Sequence, residues 1–191
     1  MLFNTLKSFW KYYDQNEEIE IYNEFSFQHE LGVFLRNNMP GYKVQFERNV
    51  HHFLKPDSAK TIKKEIDIVV FNNTEKFAIE LKYPKHGQYP VRMFNFIEDI
   101  QFMEELKTSG FDKTYVMTIV DKDAGKNFYN ELAKKSGIYS YFRSGGMVPI
   151  HGDIAFPCNG SSRIALNIKG IYTIQWEPLP RGLYGYILEI R

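Results

Sequence analysis

Two hydrophobic rhythms divide the chain into elements. Leu2, Leu6, Phe9, Trp10 and Tyr13 recur at helical spacing, and Phe27, Leu31, Phe34 and Leu35 fall at i, i+4, i+7 and i+8. Residues 2 to 37 therefore predict one helix or two in succession, ended by "MPGY". Tyr42, Val44, Phe46 and Arg48 alternate with polar neighbours and predict a strand at about 42 to 50. "LKPDSAK" is a loop. Residues 64 to 71 and 76 to 83 predict two strands joined by "NNTE". After "YPKHGQYP", Phe94, Ile97, Ile100, Met103 and Leu106 mark the inward face of a helix over 91 to 108, stopped at Gly110. "KTYVMTIV" does not alternate, which predicts a central strand covered on both faces. Residues 125 to 135 predict a short helix closed by Gly137.

From Ser144 the character changes. "RSGGMVPIHGDIAFPCNGSS" is rich in Gly, Pro and Ser, and leads into alternating segments at about 163 to 176 and 183 to 190, separated by "EPLPRG". These predict β structure added to the main sheet or packed beside it. The expected fold class is α/β: a core over 1–143 in the order helix, three strands, helix, strand, with a β-rich extension over 144–191 on the same domain.

With 191 residues, 43% hydrophobic and 16% aromatic, the chain has ample material for one core. No apolar run approaches the roughly 20 residues that span a bilayer, so no membrane partner is expected. The N-terminus lacks the basic start, unbroken apolar stretch and cleavage site of a secretory signal. The one cysteine, Cys158, excludes an intramolecular disulfide and a multi-cysteine zinc site, and a cytoplasmic location is expected. A net charge of +1 neither supports nor excludes a nucleic-acid partner, because cations clustered on one face suffice. Lys60, Lys63 and Lys64, then Lys82, Lys85, His86 and Arg92, do group along the chain. On charge alone they read as solvated strand ends.

Charge within the best strands changes that picture. "KKEIDIVVFNNTEKFAIELKYPK", residues 63 to 85, sets Asp67 in one apolar run and Glu80 and Lys82 in the next. A hairpin turn centred between Asn73 and Thr74 puts Asp67 opposite Glu80, and Lys82 opposite Glu65. One face then carries Glu65, Asp67, Glu80 and Lys82, and the other carries Ile66, Ile68, Val70, Ile79 and Leu81. Carboxylates so opposed repel by about 3 kcal/mol at an effective dielectric near 20. A divalent cation between them would relieve this, and hard oxygen ligands suit Mg²⁺ rather than zinc. The competing reading is a Glu65–Lys82 salt bridge on a solvated face, with Asp67 and Glu80 exposed. Their mid-strand positions weigh against it.

"IDIVV", then twelve residues, then "ELK" resembles the signature of the PD-(D/E)xK nucleases, which share the restriction-endonuclease-like fold. The resemblance covers about residues 20 to 120, where the element order matches, and leaves residues 144 to 191 unaccounted for. It implies a metal-dependent nuclease that hydrolyses phosphodiester bonds in DNA, as an endonuclease, with Mg²⁺ as cofactor and Mn²⁺ as substitute. Asp67, Glu80 and the Leu81 carbonyl would be metal ligands, and Lys82 would orient the attacking water and steady phosphate charge. Members also place an acidic residue on the first helix, for which Glu30 is the candidate. Another polar residue sits on the helix after the second strand, for which Gln101 is the candidate, with Asp99 behind it. Ile66 stands where many members have proline. DNA is the implied partner, and a homodimer is compatible with it. The alternative is a non-catalytic nucleic-acid-binding or protein-interaction module on the same fold.

Other motifs carry less. Adjacent His51 and His52 face opposite ways on a strand end, and "SGGMVPIHGD" lacks the context of a phosphate loop. Asp121 and Asp123 shape a turn, Tyr139, Tyr141 and Phe142 suit core packing, and Cys158 has no catalytic partner.

Overall fold

A computed structural model describes residues 1–54, 60–84, 87–130, 136–143, 148–157 and 165–191. The helical span at the start is two helices, α1 (Leu2–Gln15) and α2 (Glu24–Asn38). α2 begins at Asn23, whose side chain accepts from the Ser26 N–H at 2.7 Å while Ser26 Oγ accepts from the Asn23 N–H at 3.0 Å. This reciprocal cap satisfies two backbone donors and fixes where the helix starts. Strands β1 (Lys43–Asn49), β2 (Glu65–Phe71) and β3 (Lys76–Lys82) then form an antiparallel meander. Asn72 Oδ1 shapes the tight turn between β2 and β3, accepting the N–H groups of Thr74 and Glu75, each at 2.8 Å.

α3 (Tyr89–Thr108) buries the five apolar residues that mark its inward face, and stops at Gly110, whose φ is 95°. The Phe111 N–H donates to Leu106 O and the Gly110 N–H to Lys107 O, each at 3.1 Å, a left-handed cap that glycine accommodates without Cβ strain. α3 carries the chain across to β4 (Lys113–Asp121), which pairs in parallel with β3. The next helix, α4 (Lys122–Tyr129), starts directly after β4, earlier than the sequence pattern suggests; residues 131–135 lie outside the described residues.

The extension contains β5 (Ile150–Ile154), β6 (Leu166–Tyr172), β7 (Glu177–Pro178) and β8 (Leu183–Ile190). β5 is a strand the alternation did not mark. The extension does both things expected of it. β8 and β7 join the main sheet, whose order is β1-β2-β3-β4-β8-β7, while β5 and β6 make a separate two-stranded sheet. β4, the unbroken apolar strand, sits inside the main sheet between β3 and β8.

Two cores result, one on each face of the sheet. Ile68, Val70, Ile79, Leu81, Tyr115 and Met117 pack against the apolar stripes of α1 and α2. Val69, Ala78, Val116 and Val120 pack with α3, Phe128 and the β5–β6 pair. The β5–β6 pair is fixed by Glu104 of α3, a buried carboxylate that accepts from the N–H groups of Lys169 and Gly170 and from Tyr172 Oη. Arg181 ties the late chain to the early one, donating to the carbonyls of Tyr13, Asn16 and Ile19. Among the described residues no helix is long and apolar enough to cross a membrane.

Candidate functional site

The β2–β3 hairpin has the expected register from Phe71↔Lys76 to Ile68↔Ile79, and opens one step later, at Asp67 and Glu80. There the side chains take over from the ladder. Asp67 Oδ2 accepts from the Leu81 N–H at 2.7 Å, and Glu80 Oε1 accepts from the Asp67 N–H at 3.3 Å. The two acids thus meet across the opening, each bound to the other's strand. The opening also breaks the alternation of β2: Ile66 packs into the α3-side core, whereas Ile68 and Val70 pack on the α1–α2 side. The face expected to be uniformly apolar is therefore split at Asp67.

β1 is irregular at the same level. Its pairing with β2 runs through Phe46↔Ile68 and resumes at Arg48↔Ile66, leaving Glu47 beside Asp67 unpaired, with φ at 47°. A glutamate in this left-handed conformation is uncommon and is held by its surroundings. Gln28 of α2 supplies the hold: its Nε2 donates to Glu47 Oε1 at 2.6 Å and to the Asp67 carbonyl at 2.8 Å.

Behind the opening lies a buried ionic group. Glu80 is 0% exposed and Asp99, on α3, is 2% exposed. The Lys63 ammonium donates to Glu80 Oε2 and to Asp99 Oδ1. The Lys82 ammonium donates to the Leu81 carbonyl at 2.7 Å and stands 3.6 Å from Asp99 Oδ2 and 3.5 Å from Glu24 Oε1. Asp99 Oδ2 is itself buried without a hydrogen-bond partner among the described residues. Glu80 and Asp99 are thus paired by two ammonium groups, one of which also meets Glu24, while the half-buried Asp67 has no ion pair among the described residues.

The electrostatics record this arrangement. Burial pushes the Asp67 carboxyl up to about 6, against the opposing pull of the Lys82 ammonium and the Leu81 N–H. Burial and the neighbouring Asp67 charge push Glu80 well above the usual carboxylate range. Burial alone would lower Lys63 and Lys82, but Asp99 and Glu80 outweigh it and hold both above the usual lysine value. Both lysines stay cationic at any physiological pH. The group opens to solvent on Asp67, which lines a cleft of roughly 180 Å³ with Glu24, Phe25, Gln28, Glu47 and Leu81. Asp67 also lines a more open cleft with Glu47, Lys63, Lys64 and Glu65.

No protein-family model, curated protein or solved structure matches this chain. The site is thus read from its own chemistry. Among the described residues no three His, Cys, Asp or Glu side chains converge as a ready-made ion cage. The donor set fits instead an ion that takes one or two carboxylates and a carbonyl, and leaves its remaining positions to water and phosphate, as Mg²⁺ does. Asp67 Oδ1 has no hydrogen-bond partner among the described residues, and the Leu81 carbonyl already faces a cation, Lys82.

Of the residues singled out in the sequence, Asp67, Glu80, Leu81 and Lys82 come together. Lys82 does not pair with Glu65, because the hairpin opens before reaching it; its partners are Asp99 and Glu24. Glu30 is not brought to the site. It pairs with His29 at 3.0 Å, and at about 100° per residue it lies some 200° around α2 from Gln28. Gln101 is also elsewhere, donating to Glu105 and accepting from the Asn167 N–H, so it fastens β6 to α3. Lys63 and Lys82 are not solvated strand ends but members of the buried group, and Lys85, His86 and Cys158 lie outside the described residues. His51 and His52 are exposed in a single helical turn after β1, and Phe142 is core.

Sequence reasoning missed Lys63, Glu24, Gln28 and Glu47, and gave Asp99 too small a part. Asp99 had a legible signal: Phe96, Asp99, Met103 and Leu106 form one inward stripe at spacings of three and four. Glu24 looks like an ordinary acidic residue in a first helical turn, yet its Oε2 also accepts from the Tyr83 N–H at 3.1 Å. Lys63 was visible only as one cation of the group Lys60, Lys63 and Lys64, since it stands in a segment with no periodicity.

Proposed function

We propose that this chain is a divalent-cation-dependent phosphodiesterase acting on nucleic acid, DNA first, and that its α2–β1–β2–β3–α3–β4 core is related to the restriction-endonuclease-like fold of the PD-(D/E)xK nucleases. One observation carries this reading. Lys63 and Lys82 pair Glu80 and Asp99 at the foot of a solvent cleft, whereas Asp67, which lines that cleft with Glu24 and Glu47, is half-buried without an ion pair among the described residues. Burying its charge unpaired is unfavourable, and a divalent cation offsets it.

Asp67, Glu80 and the Leu81 carbonyl would hold the ion. When bound, Mg²⁺ supplies charge stabilisation at a phosphate and a water of lowered pKa. The chain's own groups set the rest. Lys82 cannot act as a general base, because it stays protonated; its part is fixed positive charge beside the reacting phosphate. Asp99 and Glu24 hold that ammonium from two sides, so little reorganisation is needed. Gln28 fixes the Asp67 backbone and Glu47 together.

The test is direct. Supercoiled circular DNA, linear DNA and RNA are incubated with the protein in Mg²⁺, Mn²⁺ or EDTA, with Asp67→Asn alongside. Circular DNA should be nicked or linearised in either metal, and left intact in EDTA and by the variant. One observation favours a second reading, a non-catalytic nucleic-acid-binding or protein-interaction module: Lys63 and Lys82 already pair Glu80 and Asp99, so the fold tolerates these acids without an ion. Binding without cleavage in every condition would establish that module and defeat the hydrolytic reading.

A further inference from the structure

Lys63 sits on the two most deeply buried carboxylates of the site, donating to Glu80 Oε2 and, at 3.0 Å, to Asp99 Oδ1. Two features distinguish it from an ordinary buried ion pair. The Lys63 side chain is 28% exposed and lines the open cleft beside Lys64, Glu65 and Asp67, so it has a path to solvent. It also rises from residues 60–64, which form neither helix nor strand. Lys82, in contrast, is anchored in β3 and bonded to the adjacent Leu81 carbonyl.

The oxygens of Glu80 favour exchange over addition. Oε1 accepts from the Asp67 N–H and Oε2 from the Lys63 ammonium, so both are taken. A cation that takes Glu80 as a ligand must displace one donor, and the Asp67 amide is held in β2 whereas the Lys63 side chain has a path to solvent. Two cations held against one carboxylate oxygen also repel each other.

We propose that Lys63 is a tethered countercation seated on the carboxylates of the site, and that a divalent cation binds by displacing it into the open cleft. This inference rests on the metal-dependent reading above. The displaced ammonium then stands beside Lys64, where a phosphate backbone would meet both charges. Without the ion, the same side chain keeps the acids paired and the site closed to anions. Seat and substrate contact are alternatives for one lysine.

The experiment titrates Mn²⁺ and Mg²⁺, without substrate, into wild type, Lys63→Met and Lys63→Arg, followed by calorimetry and thermal unfolding. Lys63→Met should bind the metals about tenfold more tightly than wild type. It should melt below wild type in EDTA and gain more from metal than wild type does. Lys63→Arg keeps the charge and the fold, and its planar fork grips carboxylates in two places; it should bind metal about tenfold more weakly. These opposite signs keep the proposal testable should the methionine variant fail to fold. Metal binding of equal strength in wild type and both variants, with the same stability loss in Lys63→Met with and without metal, marks a purely structural ion pair and overturns the proposal alone. Absence of metal binding in all three chains removes it together with the metal-dependent reading.

Discussion

Asp67 bears two opposed demands: it is held among apolar strands, and it lines the cleft with Glu24 and Glu47. Its carboxyl titrates near 6, against 3.8 for an ordinary aspartate. Between about pH 4 and 6 the native state therefore holds a proton that the unfolded chain has released, and stability declines as pH rises through that window. The decline is complete above about 6 and amounts to some 2–3 kcal/mol. Asp67→Asn should remove it. Denaturant unfolding in EDTA at pH 4.5 and 7.5 is expected to show the variant gaining on wild type at the higher pH, while its cutting falls at least about 100-fold. Metal should reverse the wild-type decline above pH 6, where the carboxylate is free to bind. Lys82 is a different case. Lys82→Met leaves buried Asp99 with Lys63 as its remaining ammonium partner, and should cost about 1–3 kcal/mol in addition to activity, measured by the same unfolding series. The trio Asp67, Glu80 and Lys82 was legible because charge inside apolar strands is conspicuous. Of their partners, Asp99 was legible in part, as a charge within the inward stripe of α3, whereas Lys63 reaches the site through tertiary packing that local spacing does not encode.

At the scale of elements, the pattern of apolar residues was the better guide. The inward stripes of α1, α2 and α3 and the hairpin register follow directly from period and turn chemistry. What the period could not show was where the ladder stops. Asp67 and Glu80 substitute side-chain acceptors for backbone ones, so the strands part where a regular extrapolation keeps them together. β5 and the early start of α4 were missed for a related reason: β5 owes its form to pairing with β6, and α4 to packing on the sheet and α3, rather than to their own pattern. The spacing of α2 over β1 rests on Gly32, where a Cβ would fall 2.1 Å from the Phe46 ring. Gly32→Ala should destabilise by about 1–3 kcal/mol and, by lifting α2, loosen the Gln28 contacts to Glu47 and Asp67. Chemical denaturation measures the first effect, and weaker metal affinity the second.

At the scale of the molecule, the sheet separates two cores, and the site lies where β2 and β3 open between them. The β5–β6 pair lies outside the main sheet and is held to α3 by Glu104, Gln101 and buried apolar residues such as Ile150 and Ile168, so it should come loose before the sheet does. Glu104→Gln forfeits the charge that three donors share, and hydrogen exchange is expected to show faster amides in β5 and β6 with β2, β3 and β4 still protected. The strand that completes the sheet has a bearing on synthesis. β4 adjoins β3 on one side and β8 on the other, and Tyr115 and Glu189, which meet across that second boundary, stand 74 residues apart in the chain. At the ribosome's pace of roughly 5–20 residues per second, an apolar strand stays bare on one edge for seconds after it is made. Nascent chains halted before Leu183 should accordingly be the species that chaperones capture and that otherwise aggregate.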